Sequence, residues 1–174
     1  NAENNVVKML DNLAKYIDNI EVINNIPLIF FRVRNYNHFL RFTSKLRADH
    51  FRYITGFIFP KFTTENSVDY LEYTKKLSKK YDEILYTMPI LESEAIIYKE
   101  TRIQELINIK EIIDAYSDII LNIRVGGTDF SSKFGLRRSV DSSIYNVRVV
   151  SDCLIDIINM FARDGQDYVI SAPV

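Results

Sequence analysis

Glu92 and Asp129 are the acidic residues whose positions suggest chemistry. Each follows an apolar run that reads as a strand. Ile84-Leu-Tyr-Thr-Met-Pro-Ile-Leu91 precedes Glu92, and Asp118-Ile-Ile-Leu-Asn-Ile-Arg124 precedes the stretch Val125-Gly-Gly-Thr-Asp129. Neighbouring parallel strands lie about 4.8 Å apart, so carboxylates at consecutive strand ends are expected within reach of one cation. Two carboxylates with open positions suit Mg2+ or Mn2+, which keep water and take substrate oxygens. The competing reading is structural: a strand-end Asp often caps the next helix or closes an Asx turn, and Glu92 can do the same. Gly126 and Gly127 allow backbone conformations or close approaches that a side chain would block. They match neither a phosphate-binding loop nor a dinucleotide fingerprint.

Cations accompany the acids. The apolar runs end, in order, at Arg32-Val33-Arg34, Pro60-Lys61, Leu91-Glu92, Gly126-Gly127-Thr128-Asp129 and Ser171-Ala172-Pro173. In a parallel barrel these ends converge on one mouth. Arg32 and Arg34 are two apart and are expected on one face of their strand. Burying them costs free energy unless they meet anions. Lys133, Arg137 and Arg138 follow the glycine stretch. They are candidates to hold a distal phosphate or carboxylate of a substrate. Equally, they read as solvent-exposed loop charges, or as partners of Asp141 or Asp129. His38 and His50 have no Ser or Cys partner by position, so a hydrolytic triad is not expected and surface or packing roles are. Cys153 lies on an apolar helical stretch and reads as a buried, inert thiol.

The elements that must position these groups follow from periodicity. Val6, Val7, Leu10, Leu13 and Ile17 recur at helical spacing over residues 3–18. Strands are expected near 26–34, 54–60, 84–91, 118–125 and 168–174. Helices are expected between them, near 37–48, 66–80, 100–115 and 143–163. Leu28–Phe31 shows no polar alternation, which suggests burial on both faces of a parallel sheet. Lys75, Lys76, Lys79 and Lys80 suit the negative end of a helix rather than a binding patch. The order is α, then β-α repeats, then β, so the sheet should be parallel with right-handed crossovers. An open doubly wound sheet and part of a (β/α)8 barrel both fit. A whole barrel takes about 250 residues.

The chain has 174 residues, 47% hydrophobic and 26% charged, with net charge −1. That is enough for one domain with a sizeable core, here taken as residues 1–174. The charge balance gives no electrostatic reason to expect nucleic acid or an anionic membrane as partner. One cysteine excludes an intrachain disulfide and a cysteine-rich zinc site. No apolar run is long enough to span a membrane and the N-terminus is no signal peptide, so a cytoplasmic, bacterial setting is expected.

The strand-end series Arg-Val-Arg, Phe-Pro-Lys, Leu-Glu-Ser and Gly-Gly-Thr-Asp-Phe resembles the citrate lyase beta-subunit and class II pyruvate-aldolase superfamily of TIM barrels. The segment Arg124-Val-Gly-Gly-Thr-Asp-Phe-Ser-Ser-Lys-Phe-Gly-Leu-Arg-Arg138 is most similar to the carbon–carbon bond lyase branch found with tellurium-resistance gene clusters. The likeness covers about residues 26–174. It implies an α/β fold of parallel βα repeats, a partial TIM (β/α)8 barrel with about five of eight strands. It implies Mg2+ held by Glu92 and Asp129, and a keto-acid held by Arg32. Lys61 stands where the family has a strand-end lysine, giving Arg32 and Lys61 as catalytic candidates. Arg34 replaces a residue that is commonly Asn. Gly127, Thr128, Arg137 and Arg138 complete the expected substrate-binding set.

The implied activity is Mg2+-dependent cleavage of a carbon–carbon bond through a metal-stabilised enolate. The implied substrate is a small anionic keto-acid, an acyl-CoA or a phosphorylated compound, and the implied assembly a homo-oligomer. The family's two N-terminal strands, with an Asp-Leu-Glu-Asp-like motif, have no counterpart in the sequence. Neither do its last strand and C-terminal segment, and the Glu92–Asp129 interval is longer than usual. A truncated barrel is therefore expected. Two alternatives stand beside this: a non-catalytic scaffold of the same family with a vestigial site, and a barrel glycosidase using paired carboxylates. The arginine-rich mouth favours an anionic substrate over a neutral sugar.

Overall fold

A computed structural model describes residues 2–16, 19, 21, 25–166 and 168–171. The first element, α1 (Ala2–Ala14), turns its apolar stripe inward: Leu10 is fully buried, and Val6, Val7 and Leu13 pack against the core. The other face is pinned by charge. Glu3 meets His38 Nε2 at 3.1 Å, Arg41 at 2.8 Å and Lys45 at 2.5 Å. Asp11 meets His50 Nε2 at 3.0 Å and pairs with Arg47. Both histidines therefore tie α1 to the next two helices, as their structural reading anticipated.

The chain then alternates: β1 (Phe30–Arg32), α2 (Tyr36–Thr43), α3 (Ala48–Phe51), β2 (Gly56–Phe59), α4 (Ser67–Tyr81), β3 (Tyr86–Leu91), α5 (Glu94–Ile97), α6 (Lys99–Ala115), β4 (Ile123–Val125), α7 (Gly127–Lys133), α8 (Arg148–Phe161) and β5 (Ile170–Ser171). The five strands form one sheet in the order β1-β2-β3-β4-β5, every pairing parallel. A doubly wound sheet would reverse its strand order, so the sequential order decides for a segment of a (β/α)8 barrel.

Several expected boundaries move. The helix near 37–48 is two helices, α2 and α3. The helix near 143–163 begins at Arg148, after a 3-10 turn at Ile144–Asn146. The segment 118–125 opens in a 3-10 turn at Ser117–Ile119 and becomes strand only at Ile123. The glycine stretch is not an open loop: one residue after β4 it enters α7. Positions 17, 18 and 172–174, at the ends of the expected first helix and last strand, lie outside the described residues.

Register divides the sheet into two faces. Phe57, Phe59, Thr87, Leu91, Ile123 and Val125 are buried on the helix-covered face. An aromatic layer joins that face to the helices: Phe39 of α2 lies 4.6 Å from Phe57 and 5.2 Å from Phe59, and Tyr70 of α4 stacks on Phe59 at 4.3 Å. The opposite face carries Arg32, Ile58 and Met88 at one level, and Ile90 and Arg124 at another. Gly56 lets β2 and β3 pair, since a Cβ there would overlap the backbone carbonyl of Tyr86. Arg102 locks the outer helices together. Only 3% exposed, it donates to the carbonyls of Ile96 and Ile97 at 2.7 and 2.8 Å and to Asp156 of α8 at 2.8 Å. No described helix is long and apolar enough to cross a membrane.

Candidate functional site

Glu92 follows β3 directly, and Asp129 sits in the first turn of α7, where the helix dipole favours an acid. Pairing of Leu91 with Val125 sets Glu92 level with Gly126, and the Gly126 N–H donates to the Leu91 carbonyl at 3.2 Å. Glu92 is 5% exposed. Its Oε1 accepts the backbone N–H of Lys61 at 3.0 Å and lies 3.6 Å from Nη2 of Arg32. Burial, and then the charge of Asp129, hold its carboxyl above the ordinary glutamate range; the Lys61 N–H and Arg32 only partly offset this. The carboxylates of Glu92 and Asp129 therefore feel one another. Gly126 makes room for the pair: a Cβ on it would stand 2.6 Å from the Glu92 Cβ and overlap Oε2.

Arg32, Ile58, Ile90, Glu92, Arg124 and Asp129, with the chain from Val125 to Thr128, line one cleft of about 330 Å3. Gly127 and Thr128 thus line the cleft. Lys61 reaches it by its backbone. It is held in the left-handed region at φ 50, and Asn66 clamps its carbonyl at 2.9 Å. Glu105 fixes the same loop by accepting both the N–H and the hydroxyl of Thr64 at 2.9 Å. The Lys61 side chain is exposed.

Four of the candidate residues stand elsewhere. Arg34 lines a neighbouring cleft with Glu3, His38 and Arg41, and its N–H donates to His38 Nδ1 at 2.9 Å. The reason is that β1 ends at Arg32, so the two-residue alternation meant to set Arg34 beside it does not continue. Arg137 and Arg138 are exposed beyond α7, whose seven residues add about 10 Å of helix after Gly126. Lys133 pairs with Glu94 rather than with Asp129 or Asp141. Conversely, Arg124 is a cleft residue that the strand-end reasoning passed over. Its signal was a lone arginine between Ile123 and Val125, whose burial turns it to the opposite face.

Hard oxygen donors from two carboxylates, one of them buried and destabilised by the other's charge, fit a divalent cation such as Mg2+ or Mn2+. Among the described residues no group of three or more His, Cys, Asp or Glu forms a fuller metal cage. A two-carboxylate site leaves coordination positions for water and substrate.

No curated protein and no solved structure matches the sequence. A family model for carbon–carbon bond lyases does, over residues 1–174. With five parallel strands in sequential order and paired carboxylates at adjoining strand ends, the chain belongs to the C-C_Bond_Lyase family of the TIM-barrel fold.

Proposed function

We propose that the cleft is the active centre of a Mg2+-dependent lyase of citrate lyase beta-like type, acting on a small keto-acid or acyl substrate. The observation that supports this most directly is the buried Glu92 carboxylate set against Asp129 and Arg32 in one cleft. Glu92 and Asp129 would hold the ion. Bound there, Mg2+ supplies Lewis-acid stabilisation of the negative charge that develops on a substrate carbonyl oxygen.

The remaining work belongs to the chain. Arg32 offers a planar fork to the substrate carboxylate, a geometry lysine lacks. The Lys61 N–H fixes Oε1 of Glu92, so that carboxylate is oriented before any ligand arrives. Thr128, an exposed residue at the start of α7 that lines the cleft, would offer its hydroxyl to a substrate oxygen. Ile58 and Ile90 make the floor apolar, which strengthens these polar contacts. The partner class is a small anionic acid, and strand pairing at the edges β1 and β5 would give a homo-oligomer.

The test is exchange of the pyruvate methyl protons for deuterium, followed by NMR, because enolisation is common to this chemistry whatever the full substrate. Exchange that needs Mg2+ and disappears in Asp129→Asn is expected. Mg2+ binding by calorimetry without exchange would instead leave a vestigial site on a scaffold protein, and no Mg2+ binding at all would remove the metal from the reading.

A further inference from the structure

Lys133 stands between two acids. It is the last residue of α7, the helix whose first turn carries Asp129, and the two are one helical turn apart. Side chains at i and i+4 are neighbours, with about 5–6 Å between their Cβ atoms, and an acid N-terminal to a lysine is the favourable order. The Lys133 ammonium nevertheless pairs with Oε1 of Glu94, outside the cleft lining. Glu94 and, more weakly, Tyr98 and Asp129 hold Lys133 above the ordinary lysine range, so Asp129 is already within electrostatic reach.

Glu94 is fixed by its place in the fold. It opens α5, where the helix dipole favours an acid, and it follows Glu92 by two residues. Lys133 first, and Lys61 more weakly, hold its carboxyl below the ordinary glutamate range. With side chains 40% and 58% exposed, the Lys133–Glu94 pair adds little to stability. Its consequence lies in where it puts the ammonium. An ammonium seated on Asp129 would occupy a carboxylate that a divalent cation needs.

We propose that Glu94 is a positioning residue that holds Lys133 off Asp129, so that the Asp129 carboxylate stays open to a divalent cation. This rests on the proposed function for the cation itself. Without the Glu94 charge, Lys133 turns back along its own helix to Asp129 and competes with the metal there.

Calorimetric titration of Mg2+ into the unaltered protein, Glu94→Ala, Lys133→Met and the double variant tests it. An exposed i,i+4 acid–lysine pair is favoured roughly twofold over its open form, so a cation that must displace it loses about threefold in affinity. Glu94→Ala should show that loss. The double variant should recover it, and Lys133→Met should bind Mg2+ at least as tightly as the unaltered protein. A loss that persists in the double variant means that Glu94 acts by its own charge or by shaping α5, and overturns the inference, as does an unchanged affinity in Glu94→Ala. A crystal structure of metal-free Glu94→Ala supplies a reading that needs no metal: Lys133 Nζ is expected within about 4 Å of an Asp129 carboxylate oxygen, and an ammonium turned to solvent refutes the proposal. If Mg2+ does not bind the unaltered protein, the metal reading falls, and this crystal structure alone decides whether Glu94 holds Lys133 away from Asp129.

Discussion

Replacing Gly126 with alanine tests the packing at the centre of the site. The backbone there, at φ −96 and ψ 72, is open to alanine, so the effect is one of space. The new methyl would lie 2.6 Å from the Cβ of Glu92. Rotating the glutamate moves Oε2 but not its Cβ, so the overlap is relieved only by separating the ends of β3 and β4. Forcing an extra methyl into a packed site costs about 1–3 kcal/mol. At about 2–4 °C per kcal/mol for a chain of this size, the melting temperature should fall by about 2–12 °C. The same shift moves Glu92 off the Lys61 N–H and away from Asp129, so Mg2+ affinity by calorimetry should fall with it. Gly135→Ala is the control. Gly135 has φ +64 and open space around it, so alanine there brings left-handed strain of about 1–2 kcal/mol without touching the site. An unaltered melting temperature and Mg2+ affinity in Gly126→Ala would refute the reasoning. So would an equal loss of Mg2+ affinity in Gly135→Ala.

The remaining predictions concern the groups around that contact. The Glu92 carboxyl is raised by burial and by Asp129, so its contribution to stability is present below the unfolded glutamate value and lost as pH rises through the folded one. Metal-free Glu92→Gln should therefore melt above the unaltered protein at neutral pH, with the gap closing below the ordinary glutamate range; a gap that ignores pH counts against this. Arg102→Met leaves the Ile96 and Ile97 carbonyls and Asp156 without their buried partner. It should cost about 3–5 kcal/mol in denaturant unfolding, and a loss under about 1 kcal/mol would show that the helices are held otherwise. Lys61→Ala keeps the N–H that holds Glu92 and should leave Mg2+ binding intact, while Lys61→Gly relieves φ 50 and should add about 1 kcal/mol of stability; Mg2+ affinity lost in Lys61→Ala would give the ammonium a role that its exposure does not suggest.

The parallel sheet was legible in the sequence because apolar runs each followed by a helical period call for right-handed crossovers, while the choice between a doubly wound order and a barrel segment rested on the family resemblance until the sequential pairing decided it. Helix α5, with four residues, and α7, with seven, were not: neither is long enough to display a period, α5 beginning two residues after Glu92 and α7 at Gly127 of the cleft itself. The misplacement of Arg34 has the same origin as the omission of Arg124. Alternation along a strand is informative only when the strand's end is known. β1 stops one residue before Val33, which removes Arg34 from the cleft, while β4 is still pairing at Arg124, which puts that arginine in it. The partner of the buried His50 is Asp11 on α1, a long-range pairing that no local pattern announces.

Gly126 shows how far residue types carry such an argument. In the sequence it reads as a place for either a special backbone conformation or a close approach that a side chain would block. In the structure its backbone lies in a region open to other residues, and what requires a glycine is the glutamate on the neighbouring strand. Because Leu91 pairs with Val125, the next position on each strand must accommodate the other. A carboxylate there needs a missing side chain opposite, and Asp129 then enters from the first turn of α7. Glu92, Gly126 and Asp129 therefore form one device built by register, and the Lys61 N–H, aimed by an unfavourable φ, holds its buried end in place. Strain at Lys61 and like charge between the carboxylates both oppose stability. Their presence in one place is what a site shaped for a cation and an anionic ligand would retain.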